Sequence, residues 1–62
     1  MDSGRVIKAL RAAGWEHVAT RGDHHKFRDP ATGRTTTIPH PVKDLPTGTL
    51  RAIEKQTGLE LH

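Results

Sequence analysis

The residues best equipped for chemistry lie in Arg21-Gly22-Asp23-His24-His25-Lys26-Phe27-Arg28, where two adjacent imidazoles follow a Gly-Asp turn and lead into cations. Imidazoles move protons near neutral pH, bind metals, or simply solvate a surface. A metal site needs three or four convergent ligands. His17, His40 and the acids show no recognisable ligand spacing, and there is no cysteine, so neither metal nor cofactor is expected.

Proton transfer is the remaining chemistry, and it suits one substrate in particular. RNA carries its own nucleophile, the 2′-hydroxyl. A single neutral imidazole can remove that proton while cations stabilise the charged transition state. General acid–base help of this kind contributes ~10²–10⁴-fold, which implies a modest ribonuclease. The plain alternative is a pair of surface or structural histidines, the commoner outcome for such residues. Adjacent strand residues point to opposite faces. With Phe27 facing the core, His25 shares its side, and His24 shares the side of Lys26 and Arg28. Parity alone therefore favours His24 as the more exposed of the two.

Arg21, Lys26, Arg28, Arg34 and Lys43 lie close together in sequence, and a hairpin would gather them further. Such cations can hold a phosphate backbone without reading bases. Neither helical stretch is built for the major groove of DNA, so RNA is the favoured polyanion. The plain alternative is a solvated strand face. Trp15 reads as a core residue, and with Phe27 the sole other aromatic there is no stacking platform.

The elements that must position these side chains follow from pattern. Residues 3–13 read as a helix, with Asp2 or Ser3 as cap, Val6, Ile7 and Leu10 on one face, and Gly14 as left-handed terminator. Lys8 and Arg11 fall on its wet side. A first strand holding Trp15 and Val18 ends at Gly22-Asp23. A second covers 24–29, Asp29 to Gly33 turn the chain, and a third covers 34–38. Pro39-His40-Pro41 should stop the sheet. Pro46 opens a second helix, with Asp44 favouring its positive end, Leu50 and Ile53 buried, and Gly58 closing it. The expected class is α+β, in the order α-β-β-β-α, as one domain over residues 1–62. Its sheet is a three-stranded antiparallel meander with both helices on one face.

A chain of 62 residues buries only about 60% of its unfolded surface. Any active site is therefore shallow, and a partner can contribute to stability. The net charge of +3 is a modest footprint for polyanions. No apolar run approaches the ~20 residues of a membrane helix, and MDSGRVIKAL lacks the continuous apolar segment of a signal peptide. A cytosolic protein without membrane association is expected.

Gly14-Trp15, GDHHKFRDP with Gly33, TTTIPHP and KDLPTGTLRAIEKQTGL, in that order, resemble the HicA toxin family. The resemblance implies a double-stranded-RNA-binding-domain-like fold and ribosome-independent endonuclease activity on mRNA. It also implies a HicB-type antitoxin that covers the active site, the toxin being a monomer alone and a hetero-oligomer with that partner. The family's Gly-Ser-x-His motif falls on Gly22, Asp23 and His25, which makes His25 the essential histidine and His24 its neighbour and secondary candidate. Asp23 in the serine place would repel phosphate slightly. In this reading His25 is the base, Lys26, Arg28 and Arg21 hold phosphate, and His24, His40 or water protonates the leaving group. The rival is a non-catalytic RNA-binding or antitoxin-docking module on the same fold. A structural adaptor without affinity for nucleic acid is a third possibility.

Overall fold

The computed structural model describes residues 1–61. The order is α1 (Ser3–Ala12), β1 (Glu16–Arg21), β2 (His24–Arg28), β3 (Thr35–Pro39) and α2 (Thr47–Thr57). The strands form one antiparallel sheet in the order β1-β2-β3. Both helices lie against one face of it, around Val6, Leu10, Trp15, Phe27, Ile38, Leu45, Ile53 and Leu61.

Each helix is set by its ends. Asp2 stays extended and its carboxylate accepts the Gly4 N–H, so Asp2 caps α1 and Ser3 turns inward, fully buried. Val6 and Leu10 then fall one turn apart on the buried side. At Gly14 the backbone takes φ +92°, which a side chain would oppose. That turn lets the Trp15 N–H donate to the Leu10 carbonyl at 2.9 Å and sends the indole into the core. α2 follows Pro46, has no side-chain cap, and ends at left-handed Gly58. Asp44, expected to face the start of that helix, instead pairs with the amino group of Met1 at 2.7 Å. The hydrogen bond from that ammonium, then its charge, holds the carboxyl below the ordinary aspartate range.

The register of the sheet decides which side chains share a face. In β2 and β3, His25 opposes Ile38 and Phe27 opposes Thr36, so all four point to the helix side. Thr36 also ties the sheet to α2 by donating to Gln56 Oε1 at 2.7 Å. Pro39 was expected to stop the sheet, yet it belongs to β3 and opposes His24. β3 is an edge strand, where a missing N–H costs no ladder bond. Pairing runs on past it, since the His40 N–H donates to the Asp23 carbonyl at 2.7 Å.

In β1 the register slips between His17 and Ala19. The bulge removes Val18 from the alternation, so this valine is not core material and stands 49% exposed. Every residue of β1 is exposed, because the packed core lies over β2 and β3. Phe27→Ala should therefore cost about 3–5 kcal/mol, most of what a chain this short has in reserve. Val18→Thr should stay within about 0.5 kcal/mol. Urea denaturation of the two variants checks the contrast.

Candidate functional site

Two residues beyond Ile38 on the same strand side comes His40, diagonal to His25. On the opposite flank the bulge brings His17 level with Phe27. Four rings consequently stand in file along the helix side of the sheet. His40 and His25 have centroids 5.2 Å apart at 83°, and His25 and His17 are 5.5 Å apart at 43°. His17 meets Phe27 edge-on at 5.3 Å. The Arg11 guanidinium lies 5.7 Å from the Phe27 centroid and closes the far end. His25 and His40 are half-buried, whereas His17 is exposed.

The three imidazoles are held differently. His17 shares a 2.6 Å hydrogen bond between Nε2 and Thr20 Oγ1. His40 Nδ1 lies 2.7 Å from the Oγ of buried Ser3. The same oxygen accepts the Val42 N–H at 2.8 Å, and the Ser3 N–H donates to the Val42 carbonyl at 2.9 Å. The start of α1 and the chain after β3 thus grip His40 from two sides. The His25 ring contacts His17 and His40 and makes no side-chain hydrogen bond among the described residues. Its ring nitrogens are thus unengaged among the described residues.

The sheet separates the remaining sequence candidates. His24 faces the other way, exposed, with Nδ1 3.4 Å from Asp23 Oδ1. It joins Arg21 and Lys26 in an open depression with Ala19, Thr20 and Thr37, and strand parity puts Arg28 on that face too. The Arg34 guanidinium lies at the end of α2, 3.7 Å from where a Cβ on Gly58 would stand. Lys43 is exposed in the connection after β3. The helix side of the sheet instead receives Arg11, with Lys8 one turn earlier on the same stripe of α1. Both belonged to the wet side of that helix in the sequence pattern, which did not show that Arg11 reaches the Phe27 end of the ring file.

His17, His40 and Ser3 are the other residues that pattern alone did not assemble. Their signal was register: only the slip at Val18 aligns His17, and only the extension of β3 through Pro39 aligns His40. Among the described residues no group of three or more His, Cys, Asp or Glu converges as metal ligands. A file of rings can accept, donate and orient protons instead. Ser3→Ala should cost about 1–3 kcal/mol by leaving the Val42 N–H without its acceptor. Denaturation measures that cost, and broadened His40 ring signals in NMR spectra would accompany it.

A family model described as the HicA toxin of bacterial toxin–antitoxin systems matches residues 3–59 of the chain. No curated protein matches it.

Proposed function

The chain belongs to the HicA toxin family of bacterial toxin–antitoxin systems, and on that footing we propose that it is a metal-independent endoribonuclease acting on mRNA in the cytoplasm. The observation that carries this reading is the half-buried His25 ring, flanked by two imidazoles and without a hydrogen-bond partner of its own among the described residues.

In this mechanism neutral His25 takes the proton of a ribose 2′-hydroxyl. The resulting alkoxide attacks the adjacent phosphorus, leaving a 2′,3′-cyclic phosphate on one fragment and a 5′-hydroxyl on the other. Lys8 and Arg11 lie on the same side of the sheet as His25 and meet the charge that develops on phosphate. Arg21, Lys26 and Arg28 act from the outer face by drawing the strand in, with Arg34 and Lys43 as outlying contributors. Cations that touch phosphate fix position without reading bases, so this surface by itself imposes no sequence preference. His24 assists from beyond the strand rather than at the reacting atoms. Asp23 stands beside it on the His24 side, where its charge opposes phosphate only weakly. A HicB-type antitoxin neutralises the toxin by covering the imidazole file.

His25→Ala should lower RNA cleavage by ~10²–10⁴-fold and abolish growth arrest on induction, whereas His24→Ala should cost far less. Equal mRNA decay from wild type and His25→Ala would refute the assignment. Binding separates the two groups of cations from bystanders. With a 2′-O-methyl single strand that cannot be cut, Arg11→Ala and Lys26→Ala should each reduce the slope of log affinity against log salt by about 0.7. A cation whose removal leaves the slope unchanged does not contact the strand.

A further inference from the structure

We propose that His40 is a second catalytic residue, the acid that protonates the departing 5′-oxygen. This rests on His25 being the base. Attacking and leaving oxygens lie roughly in line on opposite sides of phosphorus, so base and acid must be two groups that reach the two apical oxygens of one phosphate lying over them. His40 stands edge-to-face with His25 at 5.2 Å, on the same side of the sheet.

Proton accounting at Ser3 supports the role. The Val42 N–H occupies one lone pair of Ser3 Oγ. The hydroxyl can then donate to a bare Nδ1 of His40 or accept from a protonated one, across the observed 2.7 Å. In the charged ring, the form that acts as an acid, Nδ1 donates to Ser3 and Nε2, which faces away from it, carries the other hydrogen. Because Ser3 is fully buried, water does not compete for Nδ1 on that side. The contact that orients the ring is therefore shielded from solvent. Ser3 is a positioning residue: it never meets substrate.

The other histidines are poorer acids on geometric grounds. His24 is on the opposite face of the sheet. His17 is as near to His25, but its Nε2 is engaged by Thr20 and it rides on the exposed strand. His25 gains the 2′ proton as the 2′-oxygen bonds to phosphorus. The bond from phosphorus to the 5′-oxygen breaks with its electron pair, and that oxygen takes the Nε2 proton of charged His40. His40 ends neutral, His25 ends charged, and exchange with water restores both.

A leaving group that needs no proton isolates this function. The full chain is assayed on two single-stranded RNAs, one ordinary and one with sulfur in place of the scissile 5′-oxygen, since a thiolate departs unaided. His40→Ala and His40→Gln should cleave ordinary RNA ~10²–10⁴-fold more slowly yet approach the wild-type rate on the sulfur substrate. His25→Ala should be slow on both. Ser3→Ala should show a weaker form of the His40 pattern. His40 variants that match wild type on ordinary RNA, or that are equally impaired on both substrates through misfolding or lost binding, overturn the proposal and leave the His25 base intact. A His25→Ala variant as active as wild type on both substrates overturns the base reading, and the acid falls with it.

Discussion

The pairing of His25 with Ile38 is the constraint on which the rest of the site depends. It sends Ile38 and Phe27 into the core together, and burial of two large apolar side chains makes any one-residue slip prohibitive. The same alternation obliges His25 to face the helix side, where it is only half covered. A residue that hydrophobic packing would choose to bury is replaced there by one that can exchange protons with solvent. The catalytic geometry proposed for this chain is thus a by-product of core register, and no separate scaffold has to be built for it.

Ser3 supplies the complementary constraint from α1. Its N–H and Oγ both engage Val42, and Oγ reaches His40. The first turn of the helix, the segment after β3 and the imidazole file are therefore one cross-braced unit. Charge is arranged more loosely. Cations occur on both sides of a sheet one layer thick, with Arg11 and Lys8 on the side of His25 and Arg21, Lys26 and Arg28 on the other. In the proposed function a flexible RNA strand would engage both groups by lying across β1, every residue of which is exposed.

Element order, the indole in the core, and the opposite orientations of His24 and His25 were all legible in the sequence, because each follows from local periodicity or turn chemistry. The family was legible as well, through GDHHKFRDP and TTTIPHP with the segment that follows. What was hidden depends on pairs of distant residues. The slip at Val18, which aligns His17, has no glycine or proline to announce it. Pro39 looked like the end of a strand because its edge position cannot be read from one segment. Ser3 and Asp2 were interchangeable as caps until the inward turn of Ser3 toward His40 and Val42 distinguished them. Asp44 was assigned to the nearer helix start, and its actual partner is 43 residues away in the chain.

The bulge in β1 has one more consequence, for self-association. A straight outer strand presents a row of open backbone groups on which another chain can template, the usual route to aggregates. Here the rim is kinked at Val18 and flanked by Glu16, His17 and Arg21, so a second copy meets a broken, charged border. The irregularity that swings His17 into line with its neighbours also makes this edge of the sheet a poorer template for a second copy.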